Sequence, residues 1–164
     1  MKAAGRRYGL AVLAVGVLVV AAGCDFPDAE DDARTAAAES ARRGLDDFRD
    51  GFDYQLRQAA GETWAGQKLR DEIEPGLRDR GGDSRLLSIT ADGRQVAAQF
   101  AVRGKGAGGG GGTYEEFFWV TCASVTGAPS PDPASQVEAI PCPADFSPAD
   151  VWGGVDAIGP LPAD

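Results

Sequence analysis

Few residues in this chain can do chemistry. It has three cysteines, Cys24, Cys122 and Cys142, and no histidine. Without histidine the commonest general base and metal ligand is missing, and with it any Ser-His-Asp or Cys-His arrangement. Two thiolates without histidine also fall short of a four-ligand zinc site. The adjacent carboxylates Asp46-Asp47 and Glu115-Glu116 do not form acid/base pairs by spacing. Neighbours diverge by about 100° on a helix and point to opposite faces on a strand. One of Glu115 and Glu116 is expected to face inward or an edge and to pair with an arginine such as Arg94 or Arg103. The acids of Asp25–Asp32 lack EF-hand spacing. Gly104-Lys105-Gly106-Ala107-Gly108-Gly109 satisfies G-x-G-x-x-G, but a phosphate site needs a strand before the motif and a helix after it. Here strand patterns lie on both sides, and no Gly-Lys-Ser/Thr occurs. We read Gly104 to Gly112 as a flexible hairpin loop. No catalytic residue, cofactor site or metal site is expected.

The elements that would position these residues follow from periodicity. Between about Ala29 and Ala60, Ala37, Ala41, Leu45, Phe48, Phe52 and Leu56 recur at steps of three and four, the period of an amphipathic helix. Gly44 and Gly51 each weaken it by about 1 kcal/mol, and a kink near Gly51 is one outcome. Thr63 is placed to cap a second helix over Trp64 to about Glu74, with Pro75-Gly76 ending it. The period then changes to two. Leu86–Thr90 reads as a strand, and Asp92-Gly93 as a hairpin turn. Gln95–Arg103 reads as a second strand with Val96, Ala98, Phe100 and Val102 on one face. A turn centred on Asp92-Gly93 sets Ile89 opposite Val96 and Leu87 opposite Ala98. Thr113–Thr126 is aromatic and β-branched, apolar on both faces, and reads as a central strand. It would be covered by helix on one side and at least partly by the tail on the other. Gln136–Cys142 is the last predicted strand. Cys122 and Cys142 are 20 residues apart, symmetric about Asp132. A hairpin centred there puts them directly opposite each other, within disulfide reach.

At the N-terminus, Lys2, Arg6 and Arg7 precede an apolar run of 13 residues, Leu10–Ala22. That is shorter than the roughly 20 residues of a spanning helix and has the charge and length of a secretory signal. Its end, Ala21-Ala22-Gly23-Cys24, resembles a bacterial lipobox, with Ala21 where that family usually has leucine. The resemblance implies cleavage before Cys24 and lipidation of its thiol. An ordinary secretory signal would instead leave a free thiol. Lipidation of Cys24 leaves an even pair of cysteines, Cys122 and Cys142, in an exported chain where disulfides persist. Composition and lipobox together resemble small lipoproteins exported by high-GC Gram-positive bacteria. Removing residues 1–23 leaves 13 basic residues against 25 acidic ones, a net charge of −12. Such a field disfavours nucleic acid and anionic headgroups.

The expected fold class is α+β: a long N-terminal helix and a shorter one packed on a four-stranded antiparallel meander, which resembles cystatin-like folds in element order. The expected organisation is a signal peptide (1–23), an acidic tether (24–32), one domain (33–142) and a Pro/Gly-rich tail (143–164). The tail is expected either disordered or laid across the sheet, with Trp152 docking. The expected function is a non-catalytic binding or interaction module, held at the outer face of the cell membrane through a lipid on Cys24. Its partner would be a protein or cell-envelope ligand. The alternative is a small-molecule binder or enzyme with a cavity between helix and sheet, lined by residues such as Tyr114 or Glu116 beside Phe and Trp. The cysteine pairing is directly testable: intact mass before and after reduction and alkylation should show Cys122 and Cys142 joined, and two free thiols in the untreated exported protein would contradict it.

Overall fold

A computed structural model of the chain describes residues 29–78, 82–110 and 113–162. The expected signal segment, Cys24 and residues 25–28 of the expected tether lie outside the described residues. Helix α1 spans Ala29–Gln58, 30 residues, without a break. It begins inside the expected tether, with Glu30, Asp31 and Asp32 in its first turn, where acids favour the positive helix terminus. No interruption occurs at Gly51, which is buried. Gly44 lies against Val102, in space that a Cβ would need. Burial of one face sustains the helix where intrinsic propensity alone is weak.

Helix α2 spans Gly66–Arg78, later at both ends than the sequence suggests. Thr63 does not start it. The Gly66 N–H donates to the Gly93 carbonyl at 2.7 Å, and Arg94 donates to the Glu62 and Trp64 carbonyls. The hairpin turn therefore holds the connector between the helices. Pro75 sits inside α2 and removes one backbone donor, yet the helix continues. Leu69, Ile73 and Leu77 are all buried at four-residue spacing, and stopping at Pro75 would leave Leu77 outside the core.

The sheet runs β1 (Ser84–Asp92), β2 (Gln95–Gly110), β3 (Thr113–Gly127) and β4 (Gln136–Ile140), antiparallel in that order. Helices on this sheet make the α+β arrangement expected. The β1–β2 register differs from the expected one. The two-residue loop is Gly93-Arg94, with positive φ at Gly93 alone, as in a II′ hairpin. Ile89 therefore pairs with Ala98, and a bulge between Leu86 and Ser88 sets Leu86, not Leu87, opposite Phe100. The slip at the turn is two residues in pairing, so Ile89 keeps its face.

The largest correction concerns the glycine run. Gly104–Gly110 is not a flexible loop; it is the outer half of β2, paired in unbroken register with Thr113–Trp119 of β3. The reason is packing. Gly104, Gly106 and Gly108 alternate on the face turned to α1, and a Cβ on any of them would overlap a helix carbonyl: that of Ala37, Ala33 or Ala29 respectively. Ala33, Ala37 and Ala41 are fully buried on the helix side. Small residues on both surfaces bring backbone against backbone, with Cα–H groups taking the place of side chains. At the other end of α1 the separation is wider. There Phe48 stacks on Phe100 with ring centroids 3.8 Å apart, within a cluster that includes Phe52, Leu56, Leu69, Ile73, Leu77, Ile89 and Val125.

Cys122 and Cys142 are joined, Cα atoms 5.1 Å apart. The expected direct opposition does not occur: Cys122 pairs with Ile140, and Cys142 lies beyond the end of β4. The tail packs across the sheet instead of being disordered. Helix α3 (Pro148–Trp152) lies over the face opposite α1, and β5 (Ala157–Ile158) pairs in parallel with Trp119 and Val120 of β3. Trp152 docks as expected. Its Nε1 donates to the Gly82 carbonyl, and Phe146 meets its ring edge-on. Substituting Gly106→Ala should destabilise the domain by about 2–3 kcal/mol, the cost of overpacking a close contact. Ala107→Ser on the opposite, exposed face should stay within about 0.5 kcal/mol. Urea unfolding of the two variants measures the difference.

Candidate functional site: an open cleft beside the edge of β3

Strands β2 and β3 extend beyond both neighbours. β1 reaches only as far as Val102 of β2, and β4 covers only Cys122–Thr126 of β3. From Lys105 and Phe118 outward only β2 and β3 remain in the sheet, a two-stranded ribbon packed on one side by the first turns of α1. Odd-numbered residues of β3 face that helix. Phe117 packs with Ala33 and Ala37, and Trp119 and Ala157 lie against this small cluster. The tail crosses the β3 edge here. The Asp156 N–H donates to the Phe118 carbonyl, and its carboxylate accepts the Phe118 N–H at 2.8 Å. Gly159 donates to the Val120 carbonyl and accepts from Trp119 Nε1. Arg42 then holds the Pro162 carbonyl.

Helix, strand and tail enclose an open cleft of about 860 Å³ lined by Ala29, Glu30, Arg34, Glu115, Phe117, Trp119, Asp156 and Pro162 among others. Its floor is aromatic and its rim is charged. The Arg34 guanidinium lies 5.2 Å from the Phe117 ring centroid and 3.1 Å from Glu30. Glu115 makes no ion pair with any described residue and is exposed. The cleft sits at the surface, at the end where α1 begins. Deeper between α1 and the sheet the space is filled by the stacked phenylalanines and their neighbours, and the opening that remains between helix and strand is this surface cleft, where Glu116 lies beside Phe117 and Trp119.

On the opposite face of the ribbon, charges and rings alternate. Lys105 Nζ lies 2.6 Å from Glu116 and 5.6 Å from the Phe118 centroid, and Tyr114 donates to Glu116 at 3.3 Å. Neither Arg94 nor Arg103 pairs with Glu115 or Glu116. Cross-strand neighbours decide this: Lys105 pairs with Phe118, next to Glu116 on one face. Arg103 instead donates twice to Asp83 Oδ1, at 2.6 and 2.9 Å, and once to the Trp152 carbonyl. It also lies over both the Phe118 and Trp152 rings, so it joins the tail to the sheet. The lysine's hydrogen bond holds the Glu116 carboxyl below the ordinary carboxylate range, and Glu116 correspondingly raises the Lys105 ammonium.

Glu115, Glu116 and the cysteines were visible in the sequence as candidates. Glu30, Arg34 and Asp156 were not singled out, because only the folded tail and the helix start bring them together. The G-x-G-x-x-G run lies within a strand that leads into another strand, so no helix follows it in the chain as a phosphate-binding loop requires. Asp46 and Asp47 lie on the exposed side of α1, with Asp46 bonded to Arg49. Among the described residues no group of three or more potential metal ligands occurs. No helix among them is long and apolar enough to cross a membrane.

The depressed Glu116 carboxyl favours the folded state above the ordinary carboxylate pKa, and that contribution is lost as pH falls through its lowered value. The raised Lys105 favours it below the ordinary lysine pKa, and that contribution is lost as pH rises through the raised value. Both side chains are partly exposed, so the effect on overall stability is small. Lys105→Met should move the Glu116 titration upward, which carbon-detected NMR across the acid range can follow. Comparison of the chain with protein-family models, with curated proteins and with solved structures found no match in any of the three, so the cystatin-like outline rests on element order alone.

Proposed function

We propose that this protein is an exported lipoprotein that acts as a tethered binding module at the outer face of the cell membrane. It would be held there by a lipid on Cys24 and bind a protein or envelope partner through the cleft beside β3. The observation that carries this reading is the place of the cleft. Ala29 and Glu30, the first residues of α1, line it, and only four residues lie between Cys24 and Ala29. At about 3.3–3.6 Å per residue the tether reaches roughly 20 Å at most. The cleft would then face the zone just above the membrane, where a partner of the same envelope would meet it.

Binding, not catalysis, is the proposed work. The chain has no histidine, and Cys122 and Cys142 are joined to each other. Disulfide bonding suits an exported chain. A small molecule held in the same cleft is the second reading, favoured by an aromatic floor beside carboxylates.

Cys24→Ser should move the protein from the membrane fraction to the soluble fraction without changing its fold. Retention in the membrane would remove the anchor from the proposal. Crosslinking of the native protein in its own membrane, followed by mass spectrometry, should recover one stoichiometric protein partner. A co-purified small ligand with no protein partner would favour the second reading.

A further inference from the structure

In the paired region of β3, alternate residues direct backbone groups to its outer edge. Phe118 and Val120 bond the tail there, so by the alternation of a strand the N–H and C=O of Tyr114 and Glu116 point the same way. The register from Thr113 to Gly127 has no bulge to change that phase. Among the described residues nothing pairs with this edge between Thr113 and Phe117. It is in line with the stretch that β5 already occupies, and it borders the cleft. The chain's own tail thus shows that an extended segment fits this edge. β4 also has an outer edge, but most of its side chains stand in solvent, with no wall to read an added strand.

We propose that the free edge of β3, from Thr113 to Phe117, takes an extended polypeptide of another molecule as an added strand, with basic side chains entering the cleft. This deepens the binding-module reading above and rests on it. Main-chain hydrogen bonds to Tyr114 and Glu116 supply affinity, and alternate side chains supply specificity, as in strand-addition complexes generally. Side chains on the helix side of the added strand would lie between Glu115 and the first turn of α1. Glu30 is already bridged to Arg34, whereas Glu115 has no ion partner, and Asp31 and Asp32 are exposed nearby. The local field is therefore negative and selects lysine or arginine. Side chains on the other face would meet Tyr114, which is 68% exposed, and the Lys105–Glu116 pair.

The test uses the purified chain in detergent micelles and dye-labelled (Lys-Val)4, read by fluorescence anisotropy at low salt, with (Glu-Val)4 as control. Two further probes carry N-methyl groups on alternate amides, one on all valines and one on all lysines. Strand addition uses the donors of one set only. One methylation pattern should therefore abolish binding, while the other leaves it within about twofold, with the same charge throughout. Glu115→Gln should weaken (Lys-Val)4 about three- to fivefold, and less so in high salt. Equal effects of the two methylation patterns would mean charge attraction alone and would overturn the proposal, as would no binding at millimolar peptide. A dimer in sedimentation, with the Tyr114 and Glu116 amides protected from exchange before peptide is added, would assign the edge to a second copy and overturn it too. If membrane crosslinking still captures one partner while the peptide fails, only this inference is lost; if both fail, the binding-module reading goes with it.

Discussion

The contact on which this structure depends is that of the first half of α1 with the outer half of β2. There alanine meets glycine, and no side chain beyond a methyl group separates helix from strand. Dispersion between closely packed backbones is small per atom pair and sums over the length of the contact. The geometry has two consequences. The long ribbon formed by β2 and β3, which neither β1 nor β4 reaches, has a helix along one face and is not a solitary hairpin, which would be marginal in water. Because the helix start and the ribbon's far end are locked at the same height, the aromatic cleft forms where the chain enters the domain.

The tail completes what the four-stranded meander leaves open. The disulfide closes a loop that the chain-entropy model values at about 3 kcal/mol and fixes the point from which the tail departs. Arg103 then holds the tail through the Trp152 carbonyl and ring, while its bonds to Asp83 and its contact with the Phe118 ring fix it to the sheet. Most of that side chain is covered, at 21% exposure, so these charge-assisted bonds are screened less than surface pairs. Crossing the sheet edge at Phe118–Val120, the tail both protects part of an edge that would otherwise invite pairing and forms one wall of the cleft.

Much of this arrangement was legible in the residues. The stripe from Ala37 to Leu56 marks the buried face of α1, and the alternation from Val96 to Val102 marks the buried face of β2. The run Thr113–Thr126 marks a strand whose middle is apolar on both sides. Cys122 and Cys142 were recognisable as a pair even though their register is offset, because a disulfide accepts diagonal as well as opposed strand positions within its Cα range. The glycine run departs from the loop its composition suggests for an identifiable reason. Composition says flexible linker, and the signal to the contrary was positional: glycine at 104, 106 and 108 has strand period, while alanine at 33, 37 and 41 has helix period. Either pattern alone is unremarkable, and only their juxtaposition gives them meaning.

The sequence by itself determined the α+β class, the order of the main elements, the pairing of the cysteines and the absence of histidine chemistry, because these follow from local period and residue type. The tertiary structure decided where α2 ends, how the hairpin turns, that glycines form a strand, and that the tail becomes a fifth strand. Each of these turns on a contact between segments distant in the chain. Leu77 carries α2 past Pro75, and the Ala stripe holds Gly104–Gly108 extended. Asp156 reaches the edge of β3 from 38 residues away. Long-range contacts of this kind override local propensity, because burying a face or satisfying a strand edge outweighs the fraction of a kilocalorie per residue that propensity contributes.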